Sequence, residues 1–241
     1  VNTPLLETRG LGKRFRGLVA NRDIDFALAP SSSHCIIGPN GAGKTTFLSM
    51  ISGHLAPSQG EIRYGGEDVT QRSVVYRARR GIARKFQTPS VFPDLTAYEN
   101  IELPVMRVHR DTGDVTRRVH DVLEGVRLEE HRDTPVHHLS HGQRQWLEIG
   151  MLVGMEAKLL LLDEPAAGMT KEEKVATVKL IHELVDNLGL ATIVIEHDMD
   201  FVRLLDTRVT VLHMGAVLAD GRFDEVAADE RVKDVYLGSQ I

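Results

Sequence analysis

Gly38-Pro39-Asn40-Gly41-Ala42-Gly43-Lys44-Thr45-Thr46 is the stretch from which the rest of this chain can be read. It fits the spacing G-x-x-x-x-G-K-[ST], in which glycines let backbone N–H groups turn inward around phosphate oxygens. Lys44 would bring a point charge to the β and γ phosphates of a nucleotide, and Thr45 a hydroxyl to Mg²⁺. A helix opening behind the loop would add the positive end of its dipole. With glycine at about 7% of residues, a chance match in a chain this long is on the order of 1%. The flanks lower that further. His34–Ile37 is a compact apolar run that reads as a strand, and Phe47, Leu48 and Ile51 recur at helical spacing after the loop.

Working outward from the loop, Ile24, Phe26 and Leu28 alternate with polar residues as in a half-buried strand, and Gly60–Tyr64 reads as another. The middle of the chain changes character. Thr96-Ala-Tyr-Glu99 is a capping box, Val115, Val119, Val122 and Leu123 follow at helical spacing, and Ser140 caps a helix carrying Trp146, Leu147 and Ile149. Leu159–Leu162 then reads as a buried parallel strand. Thr170-Lys-Glu-Glu173 caps a helix with Val175, Val178, Ile181 and Val185 on one face, ended by Gly189. Ala191–Ile195 is a strand, and Val209–Met214 with Ala216–Ala219 is a hairpin about Gly215. The expectation is α/β: one domain over 1–241, with a core and antiparallel β part over 1–87 and 156–241 and an α-helical part over 88–155.

Composition bounds the function. Lys and Arg number 29 against 34 Asp and Glu, a net charge of −5, so the chain has no bulk attraction for nucleic acid. Arg77, Arg79, Arg80, Arg84 and Lys85 form a local basic cluster, read as a solvated face. Cys35, the only cysteine, lies in an apolar run and reads as a small buried hydrophobe. No run approaches the ~20 apolar residues of a membrane span. The opening VNTPLLETRG lacks the basic and apolar regions of a signal peptide. Any service to a membrane is expected from a soluble face, through partners.

Asp163-Glu164 completes the candidate nucleotide site. A buried strand, Leu159–Leu162, delivers the pair to its C-terminal end, where α/β sheets bind ligands. Asp163 would hold Mg²⁺ through water, and Glu164 is free to act as general base on the attacking water. His131, His137, His138 and His141 crowd one stretch. A metal site is conceivable there, but a solvated loop is the better reading because no Cys or well-spaced carboxylate joins them.

Leu139-Ser140-His141-Gly142-Gln143 resembles the signature of ABC ATPases, with His141 in the third place. The other elements follow in order, so the resemblance covers the whole chain. It implies a P-loop NTPase of ABC type: a RecA-like core, an N-terminal antiparallel β subdomain and an α-helical subdomain. It also implies ATP and Mg²⁺ as ligands. Gly38 to Thr46 would cradle the phosphates. Ser140, Gly142 and Gln143 would meet the nucleotide of a second subunit, head to tail. Gln87 matches the Q-loop glutamine, a Mg²⁺ and water contact. His197 matches the switch histidine on the γ-phosphate, Ala166-Ala-Gly168-Met169 the D-loop, and Phe15 the aromatic that stacks on adenine.

Neither the coiled-coil insertion of ABC repair proteins nor the second domain of ABC translation factors is present, which points to a transporter subunit. Lys85-Phe86-Gln87-Thr-Pro-Ser-Val-Phe92, Glu196-His-Asp-Met199 and Asp229–Gly238 resemble the branched-chain amino-acid and urea or amide uptake family. The signature, with Gln145-Trp-Leu-Glu-Ile-Gly-Met151, is most similar to the urea type. Ser31-Ser-Ser33 departs from the family's usual Gly-Glu. The resemblance implies an importer's ATPase at the cytoplasmic face of the inner membrane, with permease subunits and, indirectly, a solute-binding protein as partners. An ATP-gated clamp outside transport is the alternative.

Overall fold

The computed structural model describes residues 3–85 and 91–237. Among these, four strands form an antiparallel sheet in the order β2-β1-β4-β5: β1 is Leu6–Phe15, β2 Leu18–Leu28, β4 Gln59–Tyr64 and β5 Glu67–Asp68. Six others form the main sheet in the order β10-β9-β3-β8-β7-β6. They are β3 Ser33–Ile37, β6 Ile82–Lys85, β7 Leu159–Asp163, β8 Ala191–Ile195, β9 Arg208–His213 and β10 Ala216–Arg222. All its pairings are parallel except that of β10 with β9.

The apolar runs of β3, β7 and β8 are explained by burial on both faces. Ile36, Leu159, Leu161, Ile193 and Ile195 pack with the small sheet and with α1 (Lys44–Ser52). Cys35, Ile37, Leu160, Leu162 and Val194 face the other layer, with Leu180, Ile181 and Leu184 of α6 (Lys171–Leu188). Cys35 is fully buried, and burial pushes its thiol well above the usual range, the behaviour of a packing residue.

Between β6 and β7 the described residues are helical. α2 (Val74–Arg79) precedes β6, and α3 (Ala97–Val108), α4 (Thr112–Gly125) and α5 (His141–Gly154) form the helical subdomain. The capping boxes at Thr96, Ser140 and Thr170 each close both ways. α6 differs from expectation at one position. Its buried face is Thr177, Val178, Leu180, Ile181, Leu184 and Val185, and Val175 is 41% exposed. The covered arc lies around Leu184, and Val175 falls beyond its edge.

The basic cluster is not one solvated face. Arg79 and Arg80 are exposed, but Arg77 and Lys85 are buried. The Arg77 guanidinium donates to Met50 O (2.6 Å) and Ile51 O (2.7 Å) at the end of α1, and to Thr70 O (3.0 Å) and Arg72 O (3.2 Å). It therefore answers carbonyls at the negative end of a helix. On β6, neighbouring residues point to opposite faces. Arg84 reaches Asp163 on one side at 3.2 Å, and Lys85 reaches Glu148 of α5 on the other at 3.2 Å.

Candidate active site

Strand order brings the candidate groups together. β3, β8, β7 and β6 are consecutive parallel neighbours, so the loop after β3, His197 after β8, Asp163-Glu164 at the end of β7 and Lys85 at the end of β6 share one edge. Gln87 lies outside the described residues. Phe15, at the end of β1, is 42% exposed, with Lys13 Nζ 5.2 Å from its ring centre. It is not core.

The loop is pressed closely on its neighbours. A Cβ on Gly43 (φ 101°) would lie 2.4 Å from Ala20 O, and one on Gly38 (φ 150°) 2.2 Å from Leu212 O. Backbone, not a movable side chain, enforces glycine there. Asn21 Nδ2 donates to Gly43 O at 3.2 Å, anchoring the loop to β2. Lys44, 8% exposed, donates to Gly38 O (2.6 Å) and Pro39 O (3.0 Å). Burial lowers its pKa, while Glu164 and Asp163 pull it up.

Asp163 is 2% exposed. Arg84 holds its Oδ2, and its buried Oδ1 has no hydrogen-bond partner. Burial raises its pKa, with Arg84 opposing. An orphaned carboxylate oxygen at the strand end is costly unless a cation or water takes it. Asp163 and the Thr45 hydroxyl are a hard oxygen set that fits Mg²⁺.

Glu164 adopts φ 51°, a left-handed conformation that costs a non-glycine residue on the order of 1–3 kcal/mol. Its N–H donates to Ile195 O at 2.9 Å, and its Oε1 lies 3.4 Å from His197 Nδ1. Glu196, 1% exposed, accepts from Ala166 N–H on Oε1 (2.8 Å) and from His197 N–H on Oε2 (3.2 Å). One buried carboxylate thus staples the loop after Glu164 to the loop carrying His197. Burial raises its pKa, and these backbone bonds oppose the shift.

The candidate residues of α5 sit elsewhere. Ser140 caps α5 and donates through Oγ to Glu173 Oε1 at 3.0 Å. Glu173 Oε2 accepts from Thr170 N–H at 3.0 Å, and this bond, with that from Ser140, holds its pKa down. Gly142 is buried, and a Cβ there would meet Glu173 Oε1 at 2.7 Å. Gln143 Oε1 accepts from Ser140 N–H at 2.8 Å, and its Nε2 donates to His131 Nε2 at 2.7 Å. His141 Nε2 donates to Ala167 O at 2.9 Å, so the signature and the D-loop of one chain are bonded. No metal-ligating cluster occurs among the described residues.

Sequence reasoning missed three contributors. Arg84 was placed in a solvated cluster, Glu173 was read only as a cap, and Glu196 stands beside a motif residue with no signal of its own.

This geometry has close counterparts. Residues 21–167 match the family described as ABC transporter. The chain belongs to that family. Residues 216–240 match a second description, branched-chain amino acid ATP-binding cassette transporter. The chain is 32% identical to the high-affinity branched-chain amino acid transport ATP-binding protein BraF of Pseudomonas aeruginosa, covering 99% of each. It is 34% identical to the lipopolysaccharide export system ATP-binding protein LptB of Acidithiobacillus ferridurans, covering 98% of each. A solved ATP-binding cassette of an ABC transporter in its ADP conformation superposes with TM-score 0.86 at 26% identity, over 98% of this chain and 99% of that one. The molecule is therefore an ABC-type ATPase with the RecA-like core, β subdomain and helical subdomain expected of it, and an ATP-binding and hydrolysing subunit of an ABC transporter.

Proposed function

We propose that this ABC ATPase powers an importer of urea, short amides or branched-chain amino acids, as one of two ATP-binding subunits set head to tail on permease subunits. The carrying observation is the shared edge: Lys44, Asp163, Glu164 and His197 converge there, whereas Ser140 is exposed and bonded to α6. A chain so built holds two half-sites. The signature of one copy would complete the phosphate site of the other. The importer reading rests on residues 216–240 and on the urea-like wording of the signature; a solute-binding protein would deliver the cargo. The subunit would work at the cytoplasmic face of the inner membrane, and no helix among the described residues is long and apolar enough to cross one.

In this reading Phe15 stacks on adenine, and Gly38 to Thr46 hold the phosphates through backbone N–H groups, Lys44 and the Thr46 hydroxyl. Thr45, Gln87 and Asp163 would hold Mg²⁺, which when bound would supply positive charge to the phosphate oxygens. Glu164 takes a proton from the attacking water as the bond from the γ-phosphorus to the β-bridging oxygen breaks, releasing ADP and phosphate. His197 contacts the γ-phosphate and is oriented by Glu164. On the partner's nucleotide, Ser140 Oγ, the Gly142 N–H and the Gln143 side chain complete the γ-phosphate shell.

Glu196 acts as a positioning residue. Glu196→Gln keeps the shape but turns an N–H donor toward one of two backbone N–H groups. Losing a hydrogen bond to a charged group costs about 1.5–3 kcal/mol, so kcat is expected to fall roughly 10–100-fold with KM for ATP unchanged. Steady-state phosphate release over a range of ATP concentrations separates the two. A rise in KM with kcat intact would remove this role.

Coupling to the permease is assigned to the segment after Gln87. Val91 packs against the core, while Phe92 is 51% exposed. Asn100, fully buried, accepts from Phe92 N–H at 2.8 Å and donates to Phe92 O at 3.1 Å. The Asn100 side chain thus holds the Phe92 backbone in place while its ring faces outward, as an apolar anchor for a short permease helix would need. Phe92→Asp should abolish co-purification with the permease and leave basal ATPase activity and melting temperature near wild type. Continued solute uptake by the assembled variant would rule this segment out.

A further inference from the structure

At the opposite end of the main sheet from the phosphate loop lies a cavity of about 630 Å³, lined by Tyr64, Arg79, Arg80, Arg107, Glu156 and Lys158 among others. Lys158 immediately precedes β7 and Asp163 ends it. At ~3.3 Å per strand residue the two edges are roughly 15 Å apart. Three parts of the fold build the walls: Tyr64 ends β4 of the small sheet, Arg79 and Arg80 end α2, and Arg107 lies in the last turn of α3.

Two independent observations mark it as a binding site. The first is charge. Four cations and one carboxylate line the cavity on a chain whose net charge is −5. Arg80 pairs with Glu67 at 2.9 Å and Glu156 with His109 at 3.3 Å. Among the described residues Arg79, Arg107 and Lys158 make no ion pair. A concave wall of like charge focuses the field and concentrates a counter-ion. The last-turn positions of Arg79 and Arg107 also answer the negative ends of two helices, but that accounts neither for Lys158 nor for the second observation. Tyr64 is 4% exposed, and its hydroxyl is buried without a hydrogen-bond partner. Burial pushes the phenol up to about 12, and the charge of Arg80 pulls it back. An unsatisfied buried hydroxyl is costly, and a ligand accepting its proton would remove that cost.

We propose that this cavity is a second, non-catalytic site for a multiply charged phosphate group, held by Arg79, Arg107 and Lys158 with the Tyr64 hydroxyl as neutral donor. Guanidinium groups suit phosphate because they present paired donors. A ligand there would tie α3 of the helical subdomain to α2 and the start of β7, and so stabilise their mutual placement.

The test uses the full chain with the nucleotide site saturated by Mg-ADP, so that the phosphate loop cannot account for the signal. Inorganic pyrophosphate titrated calorimetrically at low salt should bind one per chain, with a dissociation constant on the order of 0.1 mM, and should raise the melting temperature. Arg107→Ala and Lys158→Ala should each weaken binding roughly tenfold, and Tyr64→Phe, which removes only the hydroxyl, roughly threefold to tenfold. Basal ATP hydrolysis should be unchanged in all three. Phosphatidylcholine vesicles doped with phosphatidic acid separate the two sources of the group. Sedimentation with them that the same variants abolish assigns a lipid headgroup, and pyrophosphate binding without it assigns a free phosphate. If neither binds, or if binding persists in Arg107→Ala and Lys158→Ala, the proposal is overturned and the ion is adventitious. Tyr64→Phe binding as tightly as wild type would overturn the hydroxyl's part.

Discussion

Glu164→Gln is expected to lower ATP turnover by roughly 10²–10⁴-fold, the usual worth of a general base, while ATP still binds. The carboxylate stands on a left-handed residue at the end of β7, 3.4 Å from His197 Nδ1, and it is 30% exposed while Asp163 is buried. The exposed acid reaches water; the buried one has an oxygen to give to a cation. Glutamine preserves the shape and cannot take the proton. Lys44 and the loop backbone are untouched, so nucleotide affinity should hold. With hydrolysis blocked, Mg-ATP should accumulate a dimer, visible by light scattering. In that background, cysteines introduced at Asn40 and His138, near the loop and the signature, should crosslink between copies. Turnover at the wild-type rate would show that Glu164 is not the base, and crosslinks confined to single chains would contradict the head-to-tail arrangement.

Arg77→Ala should be the most destabilising single change outside the site. The residue is 1% exposed and donates to four carbonyl oxygens from two segments, the end of α1 and the turn before α2. Burial lowers its pKa to about 10, so it still carries its charge at neutral pH. Alanine leaves buried carbonyls unpaired and opens a void as large as the lost side chain. Breaking a buried charged network costs about 3–5 kcal/mol, which in a domain of this size lowers the melting temperature by roughly 6–20 °C. Thermal unfolding followed by circular dichroism reads this directly. A shift within a degree or two would mean that water replaces the guanidinium at little cost. The substitution should also loosen the end of α1, the helix that begins at Lys44.

The features legible in the sequence are those carried by neighbours along the chain. The phosphate loop lies within nine residues, and the capping boxes at Thr96, Ser140 and Thr170 span three residues each, so their chemistry is complete locally. The apolar run Leu159–Leu162 shows a strand buried on both faces, because period and length alone carry that information. These patterns, taken in order, were enough for the P-loop ATPase of ABC type, and the matches to known proteins agree with it.

Where the charges go depends on packing between distant parts of the chain. Arg77 looked like one member of a solvated cluster because its acceptors, Met50 O and Ile51 O, lie 27 and 26 residues away. Arg84 meets Asp163 across 79 residues, and Glu196 meets Ala166 across 30. A buried charge is tolerable only with a partner; the strand order β3-β8-β7-β6 supplies those of Arg84 and Glu196, and the packing of α2 against the end of α1 supplies those of Arg77. The same order sets Glu164 beside His197, and the coverage of α6 leaves Val175 in solvent. Which groups exist, and which local elements carry them, can be read from residue order alone. Which of them are desolvated, and against what, followed from topology, because desolvation is a property of neighbours in space and not in the chain.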